Sequence, residues 1–258
     1  MCGRYDLNVN ALEMAARFAV ALQNVNNAQG GGPSQEALNL AEVSIAWRPR
    51  YNIAPGQDNP VVVPDSSGHN QLELMRWGLV PAWSREDKVS YSTINARAET
   101  VASKPTFRKA LATRRCLVPA TGYFEWMPEA KGESPTQGKQ PYRIVLQQEG
   151  ESPSGLFAFA GLYDVWHGPE GEELHTYAIV TTRANAALSS IHARMPVILP
   201  ACLEEAWLDR DYKNVEKLVS LLQPYPEERM AAYPVSRLVN SPANEGRELI
   251  EPVSRLAA

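Results

Sequence analysis

The sequence predicts an α+β fold built on a curved, partly closed, mainly antiparallel sheet with helices at its flanks. Three observations predict it. Short apolar, β-branched and aromatic runs at 60–63, 72–80, 142–147, 156–163, 174–182 and 195–199 outnumber the helical stretches. Strands and helices are mixed without the regular strand–helix–strand order of a parallel sheet. No segment repeats another. With 258 residues, 44% of them hydrophobic and 21% charged, the chain can bury a sizeable core, and one domain over 2–255 is the expected organisation.

Taken in order, residues 10–22 place Leu12, Ala15, Ala16, Ala19 and Leu22 at helical spacing, with Asn8 or Asn10 available as a cap. Residues 24–35, NVNNAQGGGPSQ, are polar and Gly-rich and read as a flexible surface insertion whose loss is tolerated. Further helices are expected near 98–111, 184–191, 203–209 and 214–222. At 128–140 and 149–154 Gly, Pro and charge displace any apolar period, so both read as exposed hairpin loops.

Charge and cysteine content narrow the function. Lys plus Arg number 25 against 29 Asp plus Glu, a net charge of −4, which argues against indiscriminate coating of nucleic acid but allows a local basic cleft. Residues 100–124 hold Lys104, Arg108, Lys109, Arg114 and Arg115 and no acid, a phosphate-facing surface or a solvated helix face. No apolar run approaches the roughly 20 residues of a membrane span, and the first residues lack a signal peptide's apolar core. Cys2, Cys116 and Cys202 have no C-x-x-C spacing, so neither a disulfide framework nor a thiolate zinc site is indicated. The expectation is an intracellular, reduced monomer that needs neither metal nor organic cofactor.

Cys2 follows the initiator Met1 and is small enough for methionine removal, which would leave a free aminothiol. An α-amine has a reference pKa of about 7.7–8.0 against about 10.4 for lysine, so a useful fraction is unprotonated near neutrality and can attack an aldehyde. The neighbouring thiol can then close a five-membered thiazolidine ring. An internal cysteine cannot do this.

Other residues have the chemistry such a reaction needs. His192, with imidazole's reference pKa near 6.5, suits opening a closed sugar hemiacetal; the competing reading is a hydrogen-bonded core histidine. Glu125, flanked by Phe124 and Trp126, would have its pKa raised by burial and could exchange a proton with the amine. Asn95 can orient the amine or a sugar hydroxyl, or cap a helix beginning near Ala98.

MCGRY at the start, YNIAP at 51–55, MRWGLVPAW at 75–83, INARAET at 94–100, GYFEW at 122–126, IHARMPVIL at 191–199 and the tail YPVSRLVNSPANEGRELIEP at 233–252 occur in one order. In these motifs the chain resembles the SOS response-associated peptidase (SRAP) family, over nearly its whole length. The resemblance implies a sensor of abasic sites in single-stranded DNA. In it, Cys2 captures the ring-opened aldehyde as a thiazolidine DNA-protein crosslink, with Asn95, Glu125 and His192 as its partners. Lyase chemistry through the shared imine, and self-removal of Met1, are expected alongside.

For DNA contact, Trp77 is the leading aromatic for base stacking, and Arg4, Arg76, Arg97 and Arg194 are the phosphate candidates. Pro55 and Trp83 are expected to shape the pocket walls. Two other classes remain open on residue types alone: a cysteine peptidase or N-terminal-nucleophile amidohydrolase using the Cys2 thiolate, and a non-covalent single-strand-binding module.

Overall fold

A computed structural model of the chain describes residues 2–20, 47–90, 92–128, 138–147 and 155–253. The insertion at 24–35 and most of the loops at 128–140 and 149–154 lie outside these residues. In chain order the elements are β1 (Tyr5–Leu7), α1 (Ala11–Arg17), β2 (Arg50–Ile53), β3 (Asp58–Pro64), β4 (Asn70–Trp77), β5 (Asn95–Arg97), α2 (Pro105–Thr113), β6 (Arg115–Ala120), β7 (Gly122–Met127), β8 (Gln140–Leu146), β9 (Phe157–His167), β10 (Glu173–Arg183), β11 (Arg194–Pro196), β12 (Ile198–Leu199), α3 (Ala201–Leu208), α4 (Val215–Ser220) and β13 (Met230–Pro234).

The expected α+β class holds, and the sheet closes further than its partly closed expectation. Strands β3, β4, β10, β9 and β6 pair in a ring, all antiparallel except the β4–β10 contact. A second antiparallel sheet runs β13-β8-β7-β1-β2. The two share one core: Tyr5 of β1 reaches the barrel interior, its ring edge-on to Trp77 at 5.2 Å and to Phe159 at 6.0 Å, and its hydroxyl 2.8 Å from that of Tyr177. Each such ring pair adds about 0.5–1.5 kcal/mol beyond its area burial.

Two local features position the site. After Ile179 and Gly161, β10 and β9 diverge, and residues 194–199 fill the gap: β11 pairs with β10, β12 with β9. Val197 joins both sides, donating to Val180 O at 2.8 Å and accepting from Ala160 N at 2.9 Å. The second feature fixes β7 against β1. Asp6, fully buried, takes the Arg143 guanidinium on both oxygens at 2.9 and 2.8 Å. Opposite Asp6 stands Gly122, where a Cβ would lie 2.7 Å from both Arg143 Nε and Asp6 Oδ1. Only glycine admits that approach.

Some expected elements differ. The helix of 10–22 is observed over Ala11–Arg17, capped by Asn10, whose side chain accepts from Glu13 N while Glu13 accepts from Asn10 N, both at 2.9 Å. The expected helix at 98–111 begins at Pro105, because a proline disfavours helical geometry in the residue before it and is tolerated at the first helical position. Residues 184–191 form isolated turns rather than a helix, closed by the Asn185 side chain accepting from Leu188 N. Arg115 is buried, donating to the carbonyls of Trp207, Leu111 and Ala112, and Arg114 pairs with Asp164. The phosphate-facing surface expected over 100–124 therefore reduces to Lys104, Arg108 and Lys109, which are exposed. No helix among the described residues is long and apolar enough to cross a membrane, and no metal-ligating cluster occurs among them.

Candidate active site

The beginning of the chain lies against the mouth of the barrel. Tyr5 is level with Tyr177 of β10, and Cys2 meets Asn95, which is paired with Ile179 two residues further along β10. Asn95 Nδ2 donates to Cys2 O at 2.7 Å, so the asparagine grips the backbone of the proposed nucleophile rather than capping a helix. Asn95 Oδ1 is buried and has no hydrogen-bond partner among the described residues. Burial first, and the Glu125 charge second, push the Cys2 thiol well above the usual range, so it is a neutral thiol near pH 7.

Glu125 arrives from β7. Burial raises its carboxyl from 4.5 to about 7, opposed by the charge of the chain's terminal amine. Tyr123 stands two residues earlier on the same face of β7, its hydroxyl buried and also without a hydrogen-bond partner among the described residues. Phe124, on the other face, packs with Val235 and Val239, which holds β7 against the C-terminal segment.

His192 precedes β11. Its Nδ1 stands 3.0 Å from Arg194 N and 3.1 Å from Arg194 O, which fixes the ring against the backbone in either tautomer. Burial lowers its pKa. Its Nδ1 lies 3.9 Å from Glu125 Oε1, too far for a hydrogen bond. Both pKa shifts disfavour the charged forms, so this approach is not a salt bridge near neutrality. The four residues expected to work together thus gather at one place: Asn95 on Cys2, and His192 beside Glu125.

The expected DNA contacts divide. Trp77 must be corrected: it is fully buried, donates from Nε1 to Ile94 O at 2.9 Å and stacks parallel to Tyr177, so no base can reach it. Strand alternation turns Trp77 into the barrel. Trp83 is the aromatic that faces out, 68% exposed, on a loop held by Ala82 N donating to Asp164 and by Trp166 Nε1 donating to Ser84 O. Pro55 is half-buried in a turn completed by Gly56, whose φ of 85° excludes other residues without strain.

Arg4 Nη1 donates to Asn52 Oδ1 and Val239 O, both at 2.8 Å, tying the N-terminal segment to the C-terminal one. Arg76 lies 3.2 Å from Asp58 on the barrel's outer side, opposite Trp77, and no contact ties it to Cys2. Arg97 is exposed two residues beyond Asn95 on the same face. Arg194 is bound to Glu99 at 2.6 and 3.0 Å and to Thr181 O. Sequence reading passed over Glu99, although it stands inside INARAET, and over Tyr123, although its spacing from Glu125 was visible.

A family model described as SOS response associated peptidase (SRAP) matches residues 1–242. Abasic site processing protein YoqW of Bacillus subtilis is 47% identical over 205 residues, covering 80% of this chain and 87% of its own length. Abasic site processing protein HMCES of Gallus gallus is 34% identical over 279 residues, covering 98% and 78%. A crystal structure of a protein from Bacteroides thetaiotaomicron superposes with a TM-score of 0.77 at 29% identity over 98% of this chain and all of the other. Its seven ordered motifs, its fold and these relatives agree: the chain belongs to the SRAP family.

Proposed function

We propose that this protein processes abasic sites in single-stranded DNA by covalent capture at Cys2, after Met1 is removed by hydrolysis. The observation that carries this reading is the grip of Asn95 on the Cys2 carbonyl, beside a Glu125 carboxyl whose pKa is raised to about 7. An α-amine near its reference pKa of about 7.7–8.0 and a carboxyl near 7 exchange a proton at little cost.

His192, held through Nδ1 against the Arg194 backbone, presents Nε2 to the sugar as the hemiacetal opens and exchanges a proton with its oxygen. The amine then adds to the aldehyde carbon, and Glu125 passes a proton so that water leaves and an imine remains. Finally the thiol adds to the imine carbon, its proton going to the nitrogen, and the thiazolidine closes with net loss of one water. Lyase cleavage competes from the same imine. No step requires a metal or an organic cofactor.

The raised thiol pKa argues against the peptidase reading, which needs a thiolate before substrate arrives. The test is denaturing electrophoresis with an abasic oligonucleotide, beside intact mass measurement. A stable adduct weighing protein plus DNA minus water, on a chain lacking Met1 and absent in Cys2→Ala, is the expected result. Undiminished capture by Cys2→Ala overturns the proposal.

A further inference from the structure

We propose that Arg183, at the end of β10, is a phosphate contact that carries the single strand away from the site, an inference that rests on the DNA-binding reading above. The argument begins with sheet parity. On β10, Ile179, Thr181 and Arg183 share one face. Their cross-strand partners share it too: Asn95 is paired with Ile179, Arg97 with Thr181, and Arg194 with Arg183. This face is the wall of the barrel mouth, and it grades outward from the buried Asn95 and Thr181 to the exposed Arg97 and Arg183.

The three arginines on it are not equivalent. Arg194 has its charge met by Glu99 in a two-toothed pair at 2.6 and 3.0 Å, and Arg194 Nη2 also donates to Thr181 O at 2.6 Å. Neither the Arg97 nor the Arg183 side chain makes a hydrogen bond or salt bridge among the described residues. Arg183 adds to the positive field that holds the Glu99 carboxyl below its usual range, but its guanidinium, like that of Arg97, is not tied up in an ion pair; the two stand on adjacent strands and one side-chain repeat apart, a Cα separation of roughly 8 Å. Two flexible arginines at that separation can take successive phosphates of one strand. The strand is thus led from Asn95 over Arg97 to Arg183, whose guanidinium, unlike that of Arg194, is not held to Glu99 by hydrogen bonds.

The experiment measures binding of an undamaged single-stranded oligonucleotide by anisotropy across a salt series, so that no covalent step enters. Arg183→Ala should weaken binding about 3- to 10-fold at low salt and reduce the slope of log affinity against log salt by about 0.7, the value for one lost contact to a single strand. Arg183→Lys, which keeps the charge, should retain the slope. Lys217→Ala, on α4, removes a charge elsewhere and should leave it unchanged. An unaltered slope in Arg183→Ala, or an equal reduction in Lys217→Ala, overturns the proposal. Failure of the wild-type chain to bind the oligonucleotide would instead overturn the DNA-binding reading itself.

Discussion

Strands β1 and β7 carry two buried polar clusters a few residues apart, built on opposite rules. Around Asp6, the oxygens accept from Arg143 Nε and Nη2, from Thr121 Oγ1 at 2.6 Å and from Asn8 Nδ2 at 3.3 Å. The remaining Arg143 nitrogen donates to Tyr233, which donates onward to Ile250 O. Around Cys2, by contrast, Asn95 Oδ1 and the Tyr123 hydroxyl are buried without a hydrogen-bond partner among the described residues, and Glu125 has a pKa moved toward neutrality. A satisfied buried network holds its strands in place, whereas an under-satisfied one keeps donors and acceptors for something that is not yet bound. The difference sets a scaffold cluster apart from the candidate site on two strands whose sequence reads as continuous.

Breaking the first cluster should have the largest effect. Arg143→Ala leaves the Asp6 carboxylate buried and unpaired, and denaturant unfolding should show a loss of about 3–5 kcal/mol. Comparable stability in that variant would mean that the cluster is not the scaffold described.

Glu125→Gln should act in the opposite direction on stability. The folded carboxyl titrates at about 7 and the unfolded one near 4.5, so the folded state holds the proton longer. Stability therefore falls as pH rises from about 4.5 to about 7 and is level above that. Replacing the carboxyl by an amide removes this fall, and the variant's advantage should grow across the same window to on the order of 3 kcal/mol, read from unfolding midpoints at several pH values. The same variant should lose about 10²- to 10⁴-fold in crosslinking rate, a stability–function opposition that the Asp6 cluster does not have.

The smallest effect is expected at Tyr123→Phe. Removing a buried hydroxyl that lacks a partner should leave stability unchanged or raise it by about 1 kcal/mol. A loss of 2 kcal/mol or more on thermal or chemical unfolding would show that the hydroxyl is bonded in the resting protein and belongs with the scaffold.

Period and composition made much of the barrel legible. The runs at 60–63, 142–147 and 174–182 fall within or beside β3, β8 and β10, because strands buried on one or both sides must be written in apolar residues. The run at 195–199 marked β11 and β12, but the short β1 and β5 were not legible as strands. Each of these two is three residues long, below any periodicity, and each is held by partners distant in sequence. Those are the strands closest to the site. The candidate residues come from chemistry and the ordered motifs instead, which point to Cys2, Asn95, Glu125 and His192 but say nothing of direction. Trp77 and Trp83 illustrate that limit: six residues apart in one motif, one fills the barrel and the other faces outward. Alternation could have separated Arg76 from Trp77, but not which of the two turned inward.

The segment wedged between the diverging ends of β9 and β10 acts as a ruler with one fixed end. Val197 is tethered on both sides, so the count of residues back from it decides which way Arg194 points. A single residue inserted between them would turn Arg194 to the outer surface, detach it from Glu99 and displace the imidazole upstream, with every side chain still present. In this part of the molecule, spacing is as much a determinant of chemistry as identity.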